Sequence, residues 1–128
     1  MKEVLAIIRM NKMNETKQAL VDAGFAAFTA RKVNGRGRGK VDFQLLQGAA
    51  EGHEEAISQL SPGPRLVPKR MIKIVVADKS VPTIIKTIID VNQSGNAGDG
   101  KVFVMPVSEA LRIRTGERDE AALDETID

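Results

Sequence analysis

Residues 71–90 read MIKIVVADKSVPTIIKTIID and contain a clear strand-to-helix transition. Residues 71–77 are nearly continuously apolar, which predicts a strand that is covered on both faces. Ser80 stands where a helix cap is expected, and Pro82 falls in the first turn, where proline is tolerated. The apolar face of the helix is then predicted to carry Ile84, Ile85, Ile88 and Ile89. This stretch therefore predicts one buried strand followed by one amphipathic helix.

A similar strand and helix open the chain. Residues 3–9 are apolar on both faces and predict another covered strand. Asn14 is positioned as the N-cap of a helix over about residues 14–23, and Gly24 is placed to end it. The residues expected on the apolar face of this helix are Met13, Leu20 and Val21.

Two further strands complete the pattern. Residues 25–33, rich in Phe, Thr and Val, predict the second strand, and residues 102–105 predict the last, which Pro106 ends. The order strand, helix, strand, strand, helix, strand indicates an α+β, ferredoxin-like βαββαβ fold with a four-stranded antiparallel sheet. Two helices cover only one face of such a sheet, whereas the first and third strands are apolar on both. We therefore expect copies of the chain to associate through the sheet.

Composition narrows the classes of function. The 128 residues make a single domain, and 19 Lys and Arg against 17 Asp and Glu leave a net charge of only +2. This balance, with no Tyr or Trp and only four Phe, argues against a nucleic-acid partner. The absence of Cys and the single His exclude thiolate sites and argue against a metal centre built from side chains. No apolar run approaches the roughly 20 residues that span a bilayer, and no secretory segment precedes the first strand. A cytoplasmic protein is expected.

Three clusters of glycine and cationic residues stand out. Residues 35–40 read GRGRGK, and their unhindered N–H groups and cations suit a phosphate chain, although a flexible basic hinge would read the same. Residues 98–101 read GDGK and form either a second phosphate-approaching turn or a tight helix-to-strand connection. Arg112 and Arg114 either clamp phosphates or pair with the acidic tail, about residues 119–128, which is expected to be frayed. Together the clusters favour one polyphosphate ligand held from several sides.

These motifs resemble the PII signal-transduction family over almost the whole chain. The similar stretches are AIIR at 6–9, GRGR at 35–38, GDGKVFV at 98–104 and RIRTGE at 112–117. The resemblance implies a homotrimer of ferredoxin-like subunits that binds ATP or ADP in the clefts between them. It also implies that 2-oxoglutarate and Mg²⁺ act as effector and metal. A long T-loop, here about residues 37–68, would dock onto target proteins.

The resemblance also assigns ligand-binding positions. The nucleotide positions on one subunit edge are Thr29, Gly35, Gly37, Arg38 and Val75. The B-loop around the phosphates is Gly98, Asp99, Gly100 and Lys101. Arg112 and Arg114 match the C-loop arginines that a neighbouring subunit contributes. The positions implied for 2-oxoglutarate are Gly37, Gly39, Lys40 and Lys69, of which Lys69 matches the lysine that pairs with an effector carboxylate.

Two departures from the family pattern bear on mechanism. Gly39 stands where typical members have a Gln that helps to position the metal and 2-oxoglutarate, so other groups would have to hold Mg²⁺. The chain has no Tyr, which excludes the tyrosine uridylylation that controls many bacterial members.

The segment between Arg38 and Lys69 is longer than in the usual signalling members and resembles the nitrogenase-associated NifI branch. Residues 35–41 are similar to the second of the two paired NifI proteins. This resemblance implies that the chain, with a partner paralogue, binds and inhibits dinitrogenase until 2-oxoglutarate rises. The expected target-facing residues are Phe43, Leu45, Leu46, His53, Ile57 and Leu60.

Two alternatives remain open. Within the family, a GlnK-like regulator would act on an ammonium transporter or glutamine synthetase, although the loop sequence at residues 46–51 lacks the Arg that would plug a pore. Outside it, Arg9 and Asn11 are loosely placed for a small acylphosphatase-like enzyme, which would leave the three clusters unexplained. No nucleophile stands beside a base and no carboxylate pair is set for proton transfer, so a regulator rather than an enzyme is expected.

Overall fold

The computed structural model describes residues 1–36 and 66–124. Its helices and strands, in chain order, are β1 (Lys2–Arg9), α1 (Met13–Asp22), β2 (Thr29–Gly35), β3 (Val67–Val76), α2 (Val81–Asn92) and β4 (Gly100–Pro106). A 3₁₀ turn leads into each α-helix, and a further 3₁₀ turn spans Asp119–Ala122. The predicted order of elements is confirmed.

The four strands form one antiparallel sheet in the order β2-β3-β1-β4. Both helices pack on one face of this sheet, and α1 lies against α2. This arrangement is the ferredoxin-like fold that the alternation of strands and helices indicated.

The core lies between the helices and one face of the two central strands. Alternate side chains of β1 and β3 enter it, as the two-residue period of a strand requires. The buried strand residues are Val4, Ala6, Ile8, Ile72, Ile74 and Val76, and they meet Leu20, Phe25, Ile84 and Ile88. The other side chains of β1 and most of those of β3 are half-buried, so within the described residues only one face of these strands is fully covered.

The start of α1 differs from the prediction. The helix continues directly out of the 3₁₀ turn at Met10–Lys12, so that its N-cap is Lys12 and no side chain caps it. Asn14 therefore lies inside the first turn, and its prediction as the cap was wrong. Gly24 does follow the helix with φ +96° and donates its N–H to the Val21 carbonyl at 3.0 Å, as a terminating glycine should.

The buried stripes of both helices are narrower than expected. Val21 was predicted on the apolar face of α1 but is 46% exposed, because Thr16 and Leu20 are the positions that α1 buries. On α2, Ile89 is likewise exposed, and the buried residues are Ile84, Ile88 and Asn92. The Asn92 amide donates to the Thr16 hydroxyl at 3.0 Å, so a buried polar contact joins the two helices.

Two strands begin away from their predicted positions. β2 starts at Thr29 rather than at residue 25, because Phe25 is buried in the core from the connection that precedes the strand. β3 starts at Val67, four residues before Met71, because residues 67–70 pair with β2 as far as Gly35. The expected T-loop at residues 37–68 therefore overlaps the first two residues of β3.

The segment that follows β4 contains little regular structure. Residues 108–111 form neither a helix nor a turn, and Leu111 forms an isolated bridge with Arg118. Asp119–Ala122 forms a 3₁₀ turn within the acidic tail, whose frayed character stays a prediction.

Candidate ligand-binding half-sites on the open face of the sheet

The sheet face that points away from the helices, here called the open face, carries five of the predicted site residues. Because Ala6, Ile8, Ile72 and Ile74 point to the helices, the strand residues next to them point the other way. The pairings of Ile7 with Lys101, Arg9 with Lys69 and Thr29 with Lys73 extend this face across the sheet. The predicted site residues on it are Thr29, Gly35, Lys69, Val75 and Lys101.

These residues fall at two opposite ends of the strands. At one end, Lys69 pairs with Arg9, and Gly35 pairs with Val67. At the other end, Val75 pairs with Glu3 and lies near Thr29. Val75 follows Lys69 by six positions in β3, which is about 20 Å at the rise of a β-strand. The chain therefore presents two candidate half-sites rather than one assembled pocket.

The first half-site, here called the cationic loop site, consists of Arg9, Lys69 and the loop of residues 94–99. Lys69 Nζ donates to the Gly98 carbonyl at 2.8 Å, and Arg9 Nη2 donates to the Ala97 carbonyl at 2.9 Å. Partial burial lowers the pKa of the Lys69 ammonium, and the nearby Arg9 charge lowers it further, against the opposing effect of Asp99. An added anion would relieve the repulsion between these two neighbouring cations.

The Asp99 carboxylate holds the loop together from inside. It accepts hydrogen bonds from the backbone N–H groups of Ser94 and Gly95 at 2.7 and 2.9 Å, and from the Ser94 hydroxyl. Arg9 Nη2 lies 3.3 Å from Asp99 Oδ1. The Ser94 hydrogen bonds, supported by those of Gly95 and Arg9, hold the pKa of Asp99 far below its usual range. Asp99, predicted to touch nucleotide, thus bonds to Ser94 and Gly95 of its own loop in this structure.

Two glycines allow the loop to approach β1. Gly98 has φ +100°, and a Cβ there would lie 3.2 Å from the Arg9 guanidinium. Gly100 has φ +115°, and a Cβ there would lie 1.9 Å from the Ile7 carbonyl oxygen. The GDG pattern is therefore required by backbone conformation and close approach, and it places Lys101 next in line on the open face.

The second half-site is a cleft of about 570 Å³ at the opposite end, here called the sheet-end cleft. Phe28, Thr29 and Val75 line one part of it, and residues 107, 109–110 and 122–124 line the other. An ion pair between Glu3 and Lys73, with the carboxylate and ammonium 3.2 Å apart, lies within the lining. An aromatic ring and aliphatic groups beside a hydroxyl and charges suit a planar heterocycle with polar edges.

Arg112 contacts two residues, Ala122 and Asp124, that line the sheet-end cleft of its own chain. The turn at residues 112–116 closes with a 2.7 Å bond from Gly116 N–H to the Arg112 carbonyl, so the two arginines are not in an extended segment. Arg112 Nη2 lies 2.9 Å from Asp124 Oδ1, and Asp124 lines the cleft. In this structure Arg112 therefore pairs with the acidic tail, which was one of the two alternatives, whereas Arg114 is exposed to solvent.

Several predicted residues lie outside the described part of the chain. They are Gly37, Arg38, Gly39, Lys40, Phe43, Leu45, Leu46, His53, Ile57 and Leu60. Within residues 1–36 and 66–124, no group of three or more acidic or imidazole side chains could hold a metal ion. No helix in those same ranges is both long and apolar enough to cross a membrane.

Sequence reasoning missed two residues of the cationic loop site. Arg9 was quoted within the AIIR stretch of the family resemblance, but the only role considered for it was that of a catalytic arginine. Its pairing with Lys69 places it beside the loop. The only sequence signal at Ser94 is that a small polar residue stands five positions before Asp99. This spacing is compatible with a turn in which the aspartate side chain accepts hydrogen bonds from the backbone.

Comparison with known proteins agrees with this geometry. A family model described as "Nitrogen regulatory protein P-II" matches residues 1–117. The chain belongs to the PII family. PII proteins are trimeric regulators, and the ferredoxin-like sheet found here is their fold.

Relatives in the PII family match nearly the whole length of this chain. The "nifHD region GlnB-like protein 2" of Methanobacterium ivanovii is 42% identical over 128 residues, covering 96% of this chain and 99% of its own. Its namesake in Methanococcus maripaludis is 43% identical over 124 residues, covering 96% and 100%. The "Nitrogen regulatory protein P-II" of Klebsiella oxytoca is 41% identical over 123 residues, again covering 96% and 100%.

A solved PII structure shares the fold. The crystal structure of Arabidopsis thaliana PII bound to citrate matches with a TM-score of 0.71 and 31% sequence identity. The match covers 99% of this chain and 93% of that one. The likeness therefore extends over the complete ferredoxin-like unit described above.

Proposed function

We propose that this PII protein senses nitrogen status by binding ATP or ADP together with 2-oxoglutarate, and that it inhibits nitrogenase by direct contact. The observation that carries the proposal is the division of the open face into two half-sites about 20 Å apart along β3. The sheet-end cleft suits a nucleotide base, and the cationic loop site suits phosphates and carboxylates. A neighbouring copy that brings its loop site to this cleft would complete one nucleotide site.

The apolar residues of the open face support association in a homotrimer. Phe103 is 47% exposed, and other apolar side chains on the same face are only half-buried. These half-buried residues are Leu5, Ile7, Met71 and Met105. Their burial between subunits would favour assembly through the sheet, and the same contact would join the two half-sites.

The nucleotide would extend from one half-site to the other. Phe28, Thr29 and Val75 would contact the base, and the arginines at 112 and 114 would lie beside the phosphates. The B-loop of the neighbouring copy would offer backbone N–H groups and Lys101. Gly35 lies at the same end of the sheet as this loop, and Gly37 and Arg38 follow it in the sequence. The described residues supply no carboxylate cluster for Mg²⁺, so phosphate and effector oxygens would provide most of its ligands.

We propose that the Lys69 ammonium group pairs with a carboxylate of 2-oxoglutarate. Its single described hydrogen bond, to the Gly98 carbonyl, leaves further N–H donors of the ammonium available to an anion. Arg9 pairs with Lys69 across the two central strands and adds a second positive charge. Citrate bound to the Arabidopsis relative shows that a PII protein accepts a small polycarboxylate.

The position of Lys69 would couple the effector to the T-loop. The chain leaves the sheet just after Gly35 and returns at Val67, its pairing partner, only two residues before Lys69. A ligand changes the loop conformations only by its differential affinity for them. About 3 kcal/mol of such coupling would change affinity for a target over about 100-fold.

Dinitrogenase is the proposed target. The archaeal relatives are named for the nifHD region, which ties their sequence type to nitrogen fixation. Phe43, Leu45, Leu46 and residues 53–60 would form the contact, in a homotrimer or with a paralogue. A rise in 2-oxoglutarate would then release the enzyme.

Purified dinitrogenase tests this proposal. Wild-type protein with Mg-ATP should lower substrate reduction, and added 2-oxoglutarate should restore it, with the paralogue present in a parallel series. A variant lacking residues 43–65 should lose inhibition while it keeps trimerisation and ATP binding. Inhibition that survives the deletion would contradict the proposed loop contact. Loss of the trimer would contradict the proposal that the loop is not needed for assembly. Capture of an ammonium transporter or glutamine synthetase instead of dinitrogenase would favour the GlnK-like alternative.

A further inference from the structure

The Arg112 guanidinium is surrounded by anionic and carbonyl oxygens of its own chain. Its Nη2 donates to the Ala122 carbonyl at 3.3 Å and lies 2.9 Å from Asp124 Oδ1. Its Nε lies 3.3 Å from Glu117 Oε1, an ion-pair distance without hydrogen-bond geometry. The arginine side chain is 25% exposed, and these three oxygens lie at its Nη2 and Nε atoms.

The segment that supplies two of these contacts also lines the sheet-end cleft. Ala122, Leu123 and Asp124 line the sheet-end cleft together with Thr29 and Val75. The 3₁₀ turn at Asp119–Ala122 brings them there, and Asp119 N–H donates to the Ala110 carbonyl at 2.7 Å to anchor the start of the segment. Asp124, at the far end of the described segment, is half-exposed. The segment is therefore anchored at one end and meets Arg112 at the other.

We propose that Asp124 is an internal competitor for nucleotide phosphates at Arg112. The inference rests on the proposed nucleotide function and names a regulation of that same site. A carboxylate and a phosphate oxygen both accept from a guanidinium, so only one can take the Nη2 donor in the same geometry. The Asp124 charge also repels a polyphosphate that remains nearby. Nucleotide binding consequently displaces this contact, and the contact lowers nucleotide affinity.

The size of the effect follows from the exposure of the pair. Ion pairs in contact with solvent are weak, and losing one such competitor should tighten ADP binding by about two- to five-fold. The gain should shrink as salt is added, because screening weakens both the competing pair and the repulsion. ATP, which carries more negative charge, should show an equal or larger gain.

Calorimetric titration of ADP and ATP into the intact protein provides the test. Asp124→Asn removes the competing charge, and Glu120→Gln is the matched control, since it removes the same charge from an exposed residue of the same segment. We expect D124N to bind ADP about two- to five-fold more tightly, E120Q to match the wild type, and all melting temperatures to agree.

The possible outcomes separate the two proposals. If the wild type binds nucleotide and D124N binds equally or more weakly, the competitor is disproved while the nucleotide function stands. A weaker D124N would mean that Asp124 positions Arg112. An equal gain in E120Q would attribute the effect to net charge and also overturn the inference. If neither the wild type nor D124N binds ADP or ATP at millimolar concentration, the proposed function itself fails.

Discussion

Replacing Gly100 with Ala should lower the free energy of unfolding by more than about 3 kcal/mol, the largest stability effect expected from one added methyl group here. The new Cβ would lie 1.9 Å from the Ile7 carbonyl oxygen, far inside van der Waals contact. Ile7 belongs to β1, which is paired on both sides, so its backbone cannot move without loss of sheet hydrogen bonds. The positive φ of +115° adds strain of its own.

Gly95→Ala is the matched control for this substitution. Gly95 also has a positive φ, +85°, but no atom lies within 4 Å of the position that an alanine methyl group would take. Gly95→Ala should therefore lower the free energy of unfolding only by the backbone strain, about 1–2 kcal/mol. Urea denaturation of both variants measures the difference. Equal losses in the two would contradict the close approach of the B-loop to β1.

The second large effect concerns Lys69. Lys69→Met should weaken 2-oxoglutarate binding about 10- to 100-fold, because the carboxylate would lose a charge-assisted hydrogen bond in a partly buried position. Binding of ADP alone should change little, since Arg9 still holds the loop through the Ala97 carbonyl. Lys32→Met is the matched control, because Lys32 is an exposed β2 residue whose register partner is Arg70, the neighbour of Lys69 in the chain.

Calorimetry of both lysine variants gives the result. An unchanged 2-oxoglutarate affinity in K69M would move the effector away from the cationic loop site. A parallel loss of ADP affinity would instead mean that Lys69 stabilises the loop conformation through its hydrogen bond to the Gly98 carbonyl.

The order of elements could be predicted from the sequence because each one is encoded locally. The apolar runs of β1 and β3 and the spacing of Ile84 and Ile88 can both be read from neighbouring residues in the sequence. The extent of burial could not be predicted in the same way. Whether Val21 and Ile89 are covered depends on how α1 and α2 lie against the sheet and each other, which no local pattern encodes.

The candidate site shows the same division. The glycines of the GDG turn could be recognised from sequence as positions of close backbone approach, and the structure shows what they approach. The inward carboxylate of Asp99 and the pairing of Arg112 with Asp124 could not be foreseen, since both depend on loops returning to particular neighbours. The division of the face into two half-sites likewise needed the strand register.

Calorimetric titration of 2-oxoglutarate into the protein, with and without saturating Mg-ATP, tests directly whether this chain senses the effector. We expect binding that depends on ATP, with Lys69 and a phosphate-held metal ion contacting 2-oxoglutarate in place of the Gln that Gly39 replaces. ATP binding with no heat from 2-oxoglutarate would contradict the proposed function, because the chain could then not sense the effector by itself.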